Sequence, residues 1–107
     1  MRLSDVTPKL TDYINENISA LPEFITRIIL FGSYARGTAR VGSDIDLALV
    51  AQNTWTFEDR TSIRNFFEDF DCELSFFFTT ENGLNSDDKN NANFWIRTEG
   101  IELWKRS

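Results

Sequence analysis

Two short stretches carry the residue types that could do chemistry. Phe31-Gly32-Ser33 is followed, after ten intervening residues, by Asp44-Ile45-Asp46-Leu47. The first is a tight turn suited to phosphate: glycine lets the backbone approach a ligand closely, and Ser33 with the amides of a following helical turn supplies hydrogen-bond donors. The second is a carboxylate pair suited to magnesium, which takes hard oxygen ligands and leaves its remaining positions to water and substrate phosphates. Phosphate turn and carboxylate pair together suit nucleotidyl transfer, with Asp44 and Asp46 as catalytic and metal-binding candidates and Gly32 and Ser33 as nucleotide-binding ones.

Each stretch needs an element to hold it. Arg27 to Phe31 reads RIILF, an apolar, β-branched run that suits a buried strand and stops abruptly at Gly32. Asp44 to Val50 reads DIDLALV, again strand-like, and alternation puts Asp44 and Asp46 on one side of it. Alone, a Gly-Ser is usually a loop and an Asp-x-Asp a solvated strand edge. Their combination, with strands beneath both and Arg36-Gly37 and Ser43 between them, is more specific than either part.

On these residues a resemblance can be stated. GSYARGTARVGSDIDLALV resembles the signature of the minimal nucleotidyltransferase (MNT) family within the DNA polymerase β-like superfamily, through Gly-Ser, the Ala-Arg-Gly turn and Ser-Asp-Ile-Asp-Leu. The flanks resemble it less specifically, down to the closing RTEGIELW. The resemblance implies an α/β (α+β) fold, a small mixed sheet of three to four strands flanked by helices. It implies two magnesium ions, ATP as substrate, and a third carboxylate on a following strand. Arg36, Arg40 and Ser43 are further nucleotide-binding candidates. The arginines either balance phosphate charge or are simply solvated, and Ser43 reads better as a turn residue than as a ligand.

The third carboxylate is ambiguous. The strand expected from about Asp71 or Cys72 to Phe78 offers Asp71 and Glu73, which share a face with Ser75. Glu73, inside the apolar run, matches the family position better, and a carboxylate buried there is costly unless paired or metal-bound. Asp71 reads more naturally as a loop residue. Glutamate for aspartate adds a methylene where catalytic geometry tolerates about 0.5 Å of misplacement, so a binding module with a degenerate site is the alternative to an enzyme.

The resemblance also implies a partner. Small stand-alone members often pair with a HEPN-type helical protein in toxin-antitoxin modules, the nucleotidyltransferase adenylylating a toxin tyrosine. By size, the acceptor must be small or bring its own surface. With 107 residues the chain is expected to be a single domain, 1–107, without a second module for a bulky acceptor. A net charge of -6 argues against a broad nucleic-acid surface. There is no histidine, which removes imidazole-based metal sites and Ser-His or Cys-His triads, and the lone Cys72 excludes an internal disulfide. No apolar run approaches bilayer length, so a cytoplasmic protein is the default. A homodimer or hetero-complex is the expectation for a small chain rich in aromatic residues.

The remaining elements follow from pattern. Thr7-Pro8 reads as an N-cap and first helical residue, with Leu10, Ile14, Ile18 and Leu21 at helical spacing to about Ala20. Thr56, with Glu58 and Asp59 after it, starts a second helix whose stripe is Ile63, Phe66, Phe67 and Phe70, read as core. Thr79 to Asn93 is expected to be an exposed loop in which Asp87-Asp88 more readily begins a helix than binds metal. A last helix holding Phe94, Trp95 and Ile96 ends at Gly100.

Overall fold

A computed structural model describes residues 3–107. Its elements are α1 (Leu3–Glu16), β1 (Ile25–Phe31), α2 (Ser33–Arg36), β2 (Ile45–Ala51), α3 (Phe57–Phe66), β3 (Leu74–Thr80), α4 (Ala92–Glu99) and β4 (Ile101–Lys105), with 3-10 turns at Ile18–Ala20 and Gly83–Asn85. The strands form one mixed sheet in the order β3-β2-β1-β4. β1 pairs antiparallel with β2 and β4, whereas β2 and β3 are parallel. A parallel pair cannot be closed by a hairpin, so α3 is the crossover between β2 and β3.

Both faces of the sheet are covered, which is why β2 reads as a nearly continuous apolar run. On one face Ile45, Leu47 and Leu49 join Ile28, Leu30, the α1 residues Val6, Leu10 and Ile14, and the α3 stripe of Ile63, Phe66, Phe67 and Phe70. On the other, Ala48, Val50 and Ile29 pack with Leu84 and the α4 residue Ile96, flanked by Phe31 and Phe77. The stripe expected of α3 is therefore core, although the helix closes at Phe66 and Phe70 belongs to the turn beyond it. Its start is as expected: the Thr56 hydroxyl accepts from the Asp59 N–H while the Asp59 carboxylate accepts from the Thr56 N–H.

Several boundaries differ from expectation. Helix α1 is already formed at Leu3, so Thr7 is not its cap and Pro8 lies inside it. The proline removes a hydrogen bond only to Ser4, in the first described turn, where the backbone can give way. The helix ends at Glu16 instead of near Ala20, the chain continuing as a 3-10 turn. Strand β3 begins at Leu74, two or three residues late, and runs on to Thr80. The segment after it is not wholly exposed, because Leu84 plugs the second core at 2% exposure. Asp87-Asp88 does not begin a helix: Asp87 pairs with Arg97 at 3.2 Å, the Asp88 carboxylate accepts from the Asn90 N–H, and Asn91 caps α4. Gly100 ends α4 as expected; a Cβ there would stand 2.3 Å from the Ile96 carbonyl.

Beyond the end of β3, Glu81 ties the sheet together. Arg27 Nε and Nη2 donate to its two carboxylate oxygens at 3.0 and 2.6 Å, and the Thr26 hydroxyl donates at 2.6 Å. These bonds hold the Glu81 carboxyl below its usual range, the Arg27 hydrogen bonds contributing most. A lowered carboxyl pKa adds stability above the ordinary glutamate range and loses it as pH falls through the folded value. Glu81→Gln should therefore cost about 1 kcal/mol at neutral pH. In denaturant titrations its difference from wild type should shrink as the solution is acidified through that window.

Candidate active site

The site is built where β1 ends. Phe31, its last residue, is paired with Asp46 of β2. Gly32 then turns the chain with φ 76° and ψ −152° into the single helical turn α2, closed by Gly37 in the left-handed region. The Gly37 and Thr38 N–H groups both donate to the Ser33 carbonyl, which fixes the turn.

Gly32 does more than permit this bend. A Cβ at this position would lie 2.2 Å from Asp46 Oδ2 and 3.1 Å from its Cγ. The Asp46 carboxylate thus occupies the space that any other residue at 32 would fill with its side chain. Positive φ and steric exclusion independently demand glycine here.

Along β2, Ile45 and Leu47 are buried in the first core, which turns Asp46 to the opposite face beside Phe31 and Phe77. Those two rings meet at 6.2 Å with an interplanar angle of 72°. The register places Phe31 level with Asp46 and Phe77 level with Ala48, so the rings close the floor of the site across β2. The sequence reading did not single out Phe77; its signal was alternation in SFFF, which puts it on the face of Ser75.

The electrostatics follow from that floor. Burial raises the Asp46 carboxyl above its usual range, the Asp44 carboxylate raises it further, and Arg36 opposes both. Asp44 itself is exposed, immediately before β2. Arg36 is exposed and its Nη1 stands 4.0 Å from Glu99 at the end of α4, a contact that the sequence did not announce. Arg40 is exposed; its N–H donates to Ser43 Oγ at 2.9 Å and its carbonyl accepts from the Ser43 N–H at 2.9 Å. Ser43 is accordingly a turn residue in this structure.

The two candidate third carboxylates separate. Asp71 is exposed in the loop before β3 and paired with Lys9 of α1, at 2.7 Å. Glu73 precedes β3, and its carbonyl accepts from the Ile45 N–H at 3.2 Å. The parallel ladder opens with Ile45 level with Leu74, so Glu73 and Asp44 are the residues just before it on the two strands. Glu73 is exposed. The expectation of a carboxylate buried inside the strand is overturned, because the strand starts only at Leu74, one residue after Glu73, and leaves Glu73 at its open end. Among the described residues no three Asp, Glu, Cys or His side chains converge into a group able to hold a metal. The structure gathers Asp44, Asp46, Gly32 and Ser33 with Arg36 nearby, and leaves Glu73 at the rim.

Comparison with known proteins agrees with this architecture. The profile of the family described as "Polymerase beta, Nucleotidyltransferase" matches residues 9–107. No curated protein sequence matches. Among solved structures, a nucleotidyltransferase from Sulfolobus solfataricus superposes with a TM-score of 0.64 at 20% identity, covering 97% of this chain and 84% of that one. A toxin-antitoxin structure with AMP-PNP is similar at 26% identity and a TM-score of 0.60, covering 94% of this chain and 73% of that chain. The complex of a tri-AMPylated Shewanella oneidensis HEPN toxin with its MNT antitoxin gives 21% identity, a TM-score of 0.53, and coverage of 88% and 71%.

Two expectations test the geometry. Gly32→Ala should cost about 1–3 kcal/mol of stability in urea titrations, since backbone strain and eviction of the Asp46 carboxylate coincide. Asp46→Asn should do the reverse. A raised carboxyl pKa means that the charged form is disfavoured in the folded protein, so stability falls as pH rises from the ordinary aspartate range through the folded value. Melting in EDTA at neutral pH should find Asp46→Asn more stable than wild type, with the gap closing on acidification.

Proposed function

This chain belongs to the polymerase β nucleotidyltransferase family, and from that premise we propose that it is a magnesium-dependent enzyme that transfers AMP from ATP to a hydroxyl on a HEPN-type helical protein. The observation that carries the reading is the seating of Asp46 against Gly32, which makes the phosphate turn and the carboxylate pair one site. The similarity to a toxin-antitoxin structure with AMP-PNP at 26% identity supports both the nucleotide and the kind of partner.

The residues fit the metal. Asp46 on β2 and Asp44 just before it offer only oxygen donors, and their mutual repulsion, together with the burial of Asp46, is what a divalent cation would relieve. Asp44 and Asp46 are the residues that would hold it, with Glu73 as third ligand from the adjacent rim. Bound there, magnesium supplies charge neutralisation of the triphosphate and activation of the attacking hydroxyl.

The chain's own groups do the rest. Gly32, bare of side chain, lets the outer phosphates approach the backbone, and Ser33 donates a hydrogen bond to them. Arg36 and Arg40, both exposed beside the turn, balance phosphate charge, while Ser43 holds Arg40 in its turn. Phe31 and Phe77 exclude water beneath Asp46, which strengthens every charge interaction above them. In this reading Glu73 takes the proton from the attacking hydroxyl, so no histidine is required.

One observation favours a second reading. Glu73 is exposed and outside any three-residue cluster, which suits a protein that neutralises its partner by contact and has lost the completed site. Label transfer decides between them. Incubating the chain and a co-expressed HEPN partner with α-phosphate-labelled ATP and magnesium should label the partner. Asp44→Asn/Asp46→Asn should reduce the label by at least about a hundredfold. Partner binding without label from any nucleoside triphosphate would leave the contact reading.

A further inference from the structure

The sheet has two edges, and they are built differently. β4 is five residues long, carries Glu102 and Lys105, and meets β1 through a register shift between Ile28 and Ile29. Charge, shortness and irregularity are the devices that protect an edge from pairing. β3 has none of them. Its seven residues, LSFFFTT, include no charge and no proline, and its ladder with β2 is unbroken from Leu74 to Thr80.

The direction of its main chain is fixed by two hydrogen bonds. The Glu73 carbonyl accepts from Ile45 and the Glu81 N–H donates to Ala51, both toward β2. In a parallel ladder the main-chain groups of alternate residues point to opposite sides. Those of Leu74, Phe76, Phe78 and Thr80 therefore point away from the sheet, and among the described residues no strand lies beyond them.

We propose that β3 pairs antiparallel with β3 of a second copy of this chain, joining two sheets across a two-fold axis at Phe77. That register alone engages all four outward residues, with Phe76 opposite Phe78 and Leu74 opposite Thr80 of the other copy.

Charge supports a second copy as the occupant. Arg60 and Arg64 are exposed on α3 and stack over the Phe78 ring at 5.6 and 5.7 Å, and neither has a carboxylate within salt-bridge distance among the described residues. Phe67, at the other end of α3, packs on Phe76 at 5.6 Å between centroids, and exposed Glu68 follows it. α3 thus runs antiparallel to β3, with Arg60 and Arg64 over Phe78 at one end and, past its other end, Glu68 next in sequence to the ring that packs on Phe76. Setting Phe78 of one copy opposite Phe76 of the other brings Arg60 and Arg64 toward Glu68 of its mate, and the symmetry makes the match twice. The exposed Phe57 lies at the start of the same helix.

Charge exchange tests this on the full chain, at exposed positions that leave the core intact and independently of any nucleotidyl transfer. Sedimentation equilibrium should find wild type dimeric. Arg64→Glu and Glu68→Arg should each weaken the dimer about tenfold, since each change enters the interface twice. The double variant R64E/E68R should restore it. A monomeric wild type, a dimer indifferent to the single reversals, or single losses that merely accumulate in the double variant would each overturn the proposal.

Discussion

The contact on which the rest of the site depends is the one between the Asp46 carboxylate and the bare backbone of Gly32. Every other element serves that contact. β1 ends at Phe31 so that Gly32 falls level with the start of β2, and the pairing of Phe31 with Asp46 fixes the height at which the carboxylate projects. α2 is a single turn because Gly37 closes it at once, which keeps Ser33 next to Gly32 and Arg36 within electrostatic reach of Asp46. The two cores hold the strands from both sides, so the small charged site rests on a rigid base.

The cost of the arrangement is electrostatic. A half-buried carboxylate above two phenylalanine rings, beside a second carboxylate, is unfavourable in the folded chain taken alone. A site of this kind trades stability for a preorganised place to bind positive charge. Arg36 relieves part of it and is itself shared with Glu99, which links the turn after β1 to the end of α4.

Much of this was legible in the sequence, and the reasons are local. RIILF and DIDLALV announced strands because their apolar residues are consecutive and β-branched, and Thr56 announced α3 because its capping partner Asp59 lies three residues on. Alternation with the buried Ile45 and Leu47 made the face of Asp46 legible, while Asp44 falls just before the strand, where alternation does not reach. Less legible was whatever depended on where an element stops. Pro8 suggested a helix start that the chain makes earlier, because packing of Val6, Leu10 and Ile14 outweighs the preference of proline for a first turn. Glu73 suggested a buried strand position, but the β2–β3 register begins one residue later and leaves it in solvent. Leu84 looked like a loop residue because its neighbours are polar, and only the sheet above it shows the hole that it fills.

If the phosphate turn and the carboxylate pair are one site, magnesium and nucleotide must bind with mutual dependence, since each supplies ligands or charge that the other lacks. Titration calorimetry of a non-hydrolysable ATP analogue, with and without magnesium, measures that coupling directly. The account predicts that magnesium tightens analogue binding by at least about tenfold, and that Asp46→Asn removes the gain. Equal affinity with and without the metal, unchanged by the substitution, would contradict it.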